Sequence, residues 1–264
     1  MKIFSNKFQK KFLTLSSLTR FKPSDMLTLL YRIYQIIIMC PLIAAATIVT
    51  AVTTVAGSAL GFGKAMGYYP EIVWARLFCY LNFVKVRVTG RENIDPKRDY
   101  VFVANHQSAY DIFSLFGWLG HNFRWMMKAS LRRIPFVGWA CVWSKQIFVD
   151  TSTPAATRHT MQEAEKVLGK GMSLVVFPEG ARTWDGKMKR FKRGAFLLAD
   201  EFNMPVVPIT IRGAFEVMPR WRYLPLPGTI TLTIHGVIEP DATTGKHALA
   251  PLMDRCHSEI ESAL

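Results

Sequence analysis

Two residues in the stretch Asn105-His106-Gln107-Ser108-Ala109-Tyr110-Asp111 have the side chains needed to move a proton. A neutral imidazole held by a carboxylate is a base suited to taking a proton from a hydroxyl near neutral pH. His106 and Asp111 are five positions apart, about 140° around an ideal helix, so they do not face each other if both sit mid-helix. They meet if His106 lies in a turn and Asp111 in the first helical turn. A second explanation fits the same spacing. Ser108-x-x-Asp111 reads as a capping box, with Asp111 serving the helix start and His106 an ordinary loop histidine. On these seven residues alone the cap is the stronger explanation.

A second constellation follows a buried run, Leu174-Val-Val-Phe177, that leads into Pro178-Glu179-Gly180-Ala181-Arg182-Thr183. It puts a carboxylate and a guanidinium in one turn. Gly180 permits close backbone approach to a ligand, and the fork of Arg182 suits phosphate oxygens. The plain alternative is a surface ion pair between Glu179 and Arg182. Directly downstream, Lys187, Lys189, Arg190, Lys192 and Arg193 stand against one acid, Asp185. Alone, that run is a solvated charged loop; beside the Pro-Glu-Gly turn it favours an anion-facing role. A third segment, Lys128-x-x-Leu131-x-x-Ile134-Pro135-Phe136-x-Gly138, links strand to strand through a Pro/Gly turn. Trp118, Trp125, Trp139 and Trp143 lie in or near it. They suit an apolar channel, though plain core is the commoner use of any one of them.

The elements that must hold these turns are strands and helices in alternation. Val84–Val88 alternates with period two and ends at Gly90, and Tyr100–Ala104 is a continuous apolar run; both read as strands. Phe123–Met127, Leu174–Phe177, Val206–Ile211 and Ile230–Ile234 read likewise. Helices are expected over Ile112–Leu119, from Pro154 with Thr153 as its cap to a stop at Gly169/Gly171, over Gly194–Phe202, and from Pro251 onward. The pattern predicts an α/β domain with a mixed, largely parallel sheet covered by helices. Ligands of such sheets gather where strands end, and both constellations sit at strand ends.

The chain has 264 residues, half of them hydrophobic, and a formal net charge of +14. That charge predicts an anionic partner, and phospholipid headgroups and nucleic acid both qualify. Four scattered cysteines without paired spacing predict reduced thiols. Residues 1–32 form a basic arm. Ile33 to Gly63 then contains no charged residue over 31 positions, about 46 Å as a straight helix against a bilayer core of about 30 Å. Pro41, Gly57, Gly61 and Gly63 interrupt it, so one crossing, a shallow insertion and a hairpin all remain open. Residues 68–83 are aromatic-rich and fit either the membrane interface or a helix packed on the globular part. The division expected is a basic cytoplasmic arm at 1–32, a membrane-associated helical region at 33–83 and an α/β domain at 84–264.

The ordered set Asn105-His106-x4-Asp111, Lys128…Pro135-x-x-Gly138, Phe177-Pro178-Glu179-Gly180-x-Arg182 and Val207-Pro208-Ile209 resembles the four sequence blocks of the glycerolipid acyltransferase family, most of all its 1-acylglycerol-3-phosphate acyltransferases. The resemblance covers roughly residues 85–215 and implies a glycerol-3-phosphate acyltransferase-like fold. Two positions depart from the family pattern. Thr151 stands where an Arg is frequent, which removes one candidate phosphate contact, and Ala181-Arg182-Thr183 replaces the common Thr-Arg-Ser while keeping the Arg.

The resemblance implies transfer of a fatty acyl group from acyl-CoA or acyl carrier protein to the free hydroxyl of 1-acylglycerol-3-phosphate, or of another lyso-lipid. It implies that His106 would take the hydroxyl proton with Asp111 orienting it, and that Glu179, Gly180 and Arg182 would bind the headgroup with Lys128 assisting. The resemblance implies direct attack of the acceptor on the thioester without a covalent intermediate, in agreement with the absence of a G-x-S-x-G elbow; with no clustered His/Cys ligand set in the sequence, no metal or other cofactor is expected. The partners implied are the lipid bilayer, lysophosphatidic acid and the acyl donor, without nucleic acid. Because acyl donors are cytosolic, the resemblance implies the cytoplasmic face of a bacterial inner membrane, reached by an even number of crossings or a monotopic anchor. A lipid hydrolase would need a nucleophile or metal set, and a charge-only binder has no use for His106 and Asp111.

Overall fold

The computed structural model describes residues 23–150, 152–168, 171–239 and 249–264. The basic residues Lys2 to Lys22, Thr151 and the expected helix stop at Gly169 lie outside the described residues. The chain divides into two compact units between Leu42 and Ile43.

In the first unit α1 (Pro23–Tyr34) runs into a wider π-type turn at Gln35–Met39. Its apolar side chains Leu27, Leu30, Ile36 and Ile37 are at the surface. Helix α2 (Cys40–Gly57) begins just before the division. The whole helical run Met26–Met66 is 41 residues, long and apolar enough to cross a bilayer, and little of it is buried. It breaks at Gly61, where φ is +94°, a conformation that an L side chain resists.

Beyond that break the chain folds back as α3 (Tyr69–Leu81). Trp74 Nε1 donates to Thr47 Oγ1 at 2.9 Å and Thr54 Oγ1 donates to Glu71 Oε1 at 3.1 Å, so α3 runs antiparallel to α2 as a hairpin. One side of α3 packs on the globular part, the second of the two expectations for residues 68–83. Ala75 and Cys79 are fully buried, and Phe78 stacks on Phe113 with ring centroids 4.2 Å apart. Tyr69, Val73 and Tyr80 are exposed, as are Val49, Val52, Leu60 and Phe62 on the other half of the hairpin. Apolar surface of this extent marks an interaction face.

The buried Arg124 holds the hairpin's turn to the sheet. Its guanidinium reaches the carbonyls of Gly63, Lys64 and Gly67 at 3.2–3.3 Å. Burial lowers its pKa to about 10, which Glu71 opposes.

The globular part is a seven-stranded sheet in the order β1-β7-β6-β2-β5-β3-β4. Its strands are β1 (Val84–Thr89), β2 (Val101–Ala104), β3 (Phe123–Lys128), β4 (Ile147–Val149), β5 (Ser173–Val176), β6 (Val206–Arg212) and β7 (Gly228–Ile234). Every pairing is parallel except β6 with β7, the mixed and largely parallel sheet that the alternating pattern predicts. Alternate residues of the central strands serve opposite faces, as the pleat requires. Phe102, Val175 and Val207 face a core shared with α3 and with α4 (Tyr110–Trp118). Val101, Val103, Leu174, Val176 and Val206 face a second core. That second core is covered by α6 (Pro154–Leu168), α7 (Gly194–Glu201) and α9 (Leu249–Glu261).

Short helices include α5 (Val137–Trp143) and α8 (Ala214–Val217). Thr153 caps α6 as expected, Oγ1 accepting from Ala156 N at 3.1 Å. The Lys128–Gly138 segment is a 3₁₀ turn followed by α5 rather than a plain link. This turns Trp139 and Trp143 outward, 55% and 44% exposed, so neither is core.

Candidate active site

Strand β2 lies between β5 and β6, parallel to both, so the turns after β2 and β5 emerge side by side. The His106 turn and the Pro-Glu-Gly turn are thus brought together by register alone. Asn105 fixes the end of β2: its Nδ2 donates to Ile211 O at 2.9 Å and its Oδ1 accepts from Ile211 N at 2.7 Å. That side chain extends the β2–β6 pairing past the last strand residue, a role with no distinctive sequence signal.

His106 Nδ1 lies 2.8 Å from Asp111 Oδ2. The same oxygen accepts the backbone N–H of Gln107 at 2.6 Å and of Ser108 at 2.8 Å. The capping and orienting explanations of Asp111 are therefore not exclusive. One fully buried carboxylate oxygen gathers the turn's backbone donors and holds the imidazole. Ser108 Oγ instead accepts from Tyr110 N at 3.1 Å and donates to Met218 O at 2.7 Å. An oxygen already accepting two N–H bonds acts as a carboxylate acceptor, so Nδ1 carries the proton and the lone pair is left on Nε2. The ring lies flat on Phe177, 3.9 Å between centroids and 6° from parallel. Phe177 in turn stacks on Trp125 at 5.2 Å.

Glu179 is buried, and its two oxygens face two backbone donors. Oε1 accepts from His106 N at 2.7 Å and Oε2 from Lys189 N at 2.9 Å. Burial pushes its pKa up, against the pull of those two bonds. No ion pair joins it to Arg182 among the described residues, so the surface-pair alternative does not describe this turn. Thr183 N donates to His106 O at 3.0 Å, a second tie between the turns. Gly180 has φ +74°, and a Cβ there would come within 2.7 Å of Lys192 Nζ. Its freedom is thus used by the Lys192 side chain, which crosses it. Arg182 is partly buried. Burial and then the neighbouring Arg220 guanidinium hold its pKa below the usual arginine value, and Asp111 opposes them.

A cavity of about 650 Å³ opens at the site. His106, Phe177, Gly180, Lys128 and Lys192 line it, together with an apolar wall that includes Ile112, Phe116, Trp125, Val137 and Val149. Of the four tryptophans considered from sequence, only Trp125 is in that lining. The arrangement presents a fixed imidazole base at the edge of an apolar chamber, with cationic side chains beside it. His106, Asp111, Lys128, Glu179, Gly180 and Arg182 are legible in the sequence, and Lys192 is legible only as one cation of the basic run; Trp184 and Arg220 carry no sequence signal.

The sequence profile of a family described as Acyltransferase matches residues 85–212. A 1-acyl-sn-glycerol-3-phosphate acyltransferase of Pseudomonas aeruginosa is 31% identical over 196 residues, covering 72% of this chain and 75% of the relative. One of Chlamydomonas reinhardtii is 34% identical over 184 residues, 69% of this chain and 54% of the relative. The chain spans about half the length of the first such relatives it matches. The crystal structure of the 1-acyl-sn-glycerophosphate (LPA) acyltransferase PlsC from Thermotoga maritima superposes with a TM-score of 0.75 at 27% identity, over 90% of this chain and 95% of that one. Likeness sustained over three quarters of the Pseudomonas relative, with the same fold beneath it, means that this chain belongs to the acyltransferase family.

Proposed function

We propose that the protein is a 1-acylglycerol-3-phosphate O-acyltransferase, moving a fatty acyl group from acyl-CoA or acyl carrier protein to the free hydroxyl of lysophosphatidic acid and giving phosphatidic acid. The observation that carries this reading is His106 lining an apolar cavity of about 650 Å³ while Asp111 holds its Nδ1 at 2.8 Å. A cavity of that size suits a drug-sized apolar ligand, and the acyl chain is the apolar part of either substrate. His106 Nε2 takes the proton of the acceptor hydroxyl as its oxygen attacks the thioester carbonyl. Asp111 steadies the imidazolium. The tetrahedral adduct then collapses, the C–S bond breaks, and the proton passes from His106 to the departing sulfur. Base help of this kind is worth about 10²–10⁴ in rate.

Arg182, with Lys128 and Lys192 at the cavity, neutralises the phosphate, and Glu179 acts as a brace for the His106 backbone more than as a headgroup contact. The hairpin of α2 and α3 seats the domain at a membrane through its exposed apolar face. Because acyl thioesters are cytosolic, the reading puts the domain on the cytoplasmic side, in a bacterium at the inner membrane.

The test is the full chain in detergent micelles with acyl-CoA and a panel of lyso-lipids, reading thiol release. Turnover of lysophosphatidic acid at least tenfold above lyso-lipids lacking a phosphomonoester supports the reading. Turnover confined to the latter replaces it with an acyltransferase of another acceptor.

A further inference from the structure

Arg220 lies beyond all four sequence blocks, yet the fold brings it to the catalytic turn. Ser108, two residues after His106, donates to Met218 O at 2.7 Å, which ties the Met218–Arg220 stretch to that turn. Arg182 is tied to it from the other side by Thr183 N on His106 O at 3.0 Å. The two arginines then meet. Arg220 Nη1 donates to Arg182 O at 3.0 Å, and the Arg220 guanidinium lies 4.5 Å over the Trp184 ring. Lys189 Nζ reaches the same carbonyl at 3.3 Å.

Neither guanidinium is paired with a carboxylate among the described residues, although Arg220 is itself only partly exposed. Arg220 Nη1 and Lys189 Nζ converge on one carbonyl oxygen, and holding like charges this close costs energy that an ordinary surface arginine avoids by turning away. Each Arg220 donor left over after the carbonyl bond is one of five in a rigid fork, a shape matched to phosphate oxygens. The Arg220 charge also bears on Arg182, whose pKa is held down first by burial and next by Arg220. An anion bound among these cations removes the penalty.

We propose that Arg220 is the second arm of a phosphomonoester clamp, closing on the same headgroup phosphate as Arg182 and held in place by Trp184. This rests on the lysophosphatidic acid reading above. It assigns the acceptor's phosphate, rather than the phosphates of a CoA donor, to the pair.

The experiment is steady-state kinetics of the full chain in micelles for Arg220→Ala, Arg220→Lys and the parent. Lysophosphatidic acid and acyl-CoA are varied separately, and thermal melts are run alongside. The clamp predicts a KM for lysophosphatidic acid raised about 10- to 100-fold in Arg220→Ala, with KM for acyl-CoA and the melting temperature within experimental scatter of the parent. Arg220→Lys recovers part of that loss, because a lysine supplies charge without the fork. A KM for lysophosphatidic acid within twofold of the parent overturns the clamp, as does a rise confined to acyl-CoA. If Arg220→Ala does not fold, competitive inhibition by glycerol 3-phosphate decides in Arg220→Lys: weakened inhibition supports the clamp and unchanged inhibition overturns it. A parent enzyme inactive on lysophosphatidic acid sinks the functional reading instead, so the two failures are distinct.

Discussion

Glu179 Oε1 accepts the backbone N–H of His106 at 2.7 Å, across 73 residues of sequence. A carboxylate in one turn thereby sets the height of a base in another. With Oε2 on Lys189 N, the same side chain also closes the basic loop onto the site.

Glu179→Gln removes the charge and one acceptor. The amide satisfies one of the two backbone donors and presents N–H to the other, a mismatch worth about 1–3 kcal/mol in a buried place. We expect a melting temperature lowered by several degrees and turnover lowered about tenfold or more, read by thermal melts and thiol release. A variant matching the parent in both would show that the brace is dispensable.

The cavity makes a different prediction. Cys141 lines its apolar wall, and Cys141→Trp fills space there. Excluding two methylenes of an acyl chain costs about 1.6 kcal/mol, roughly tenfold in kcat/KM. The longest acyl-CoA accepted by the parent should lose about that much while short donors are spared. A chain-length profile that does not move would place the acyl chain elsewhere.

Much of the scaffold beneath these predictions was legible from sequence because it rests on local signals. The apolar runs at Val101–Ala104 and Ser173–Val176 are strands that stay buried on both faces, and Thr153-Pro154 announces a helix start. The His106 and Glu179 turns were visible because reactive side chains follow those runs directly. What stayed hidden depends on distant partners. Nothing near Asn105 shows that it will bond Ile211, and nothing near Arg220 points to Trp184. The α2–α3 hairpin is set by Arg124 gathering carbonyls from the turn at Gly63–Gly67, and a lone Arg in an apolar strand gives no hint of that. Trp139 and Trp143 look like core by composition, but the α5 turn exposes them.

Acid should weaken the fold through His121. Burial lowers its pKa below 6.5, with Asp99 and Asp95 opposing, and its Nε2 lies 2.8 Å from Ser173 Oγ. A group with a depressed folded pKa binds its proton first in the unfolded chain, so stability falls as pH drops below about 6.5 and is level above it. His235, lowered by burial against Glu259, has the same sign. Melts between pH 5.5 and 7.5 should show a slope that is shallower in His121→Gln. Equal slopes would assign the acid sensitivity to other groups.

Orientation at the membrane can be read by thiol labelling. Cys256 is fully buried and its thiol is pushed up to about 12 by burial, so it is a poor reporter. Lys187 is exposed in the basic loop. In sealed right-side-out vesicles, Lys187→Cys should gain no label from an impermeant maleimide over the parent until the vesicles are opened. Immediate extra labelling would put the domain on the outer face.

The role of His106 as the base is decided by thiol release from His106→Ala with saturating lysophosphatidic acid and acyl-CoA. The expected kcat is at least 100-fold below the parent, with an unchanged melting temperature and nearly unchanged KM for both substrates. A properly folded His106→Ala that turns over within a few fold of the parent would contradict it.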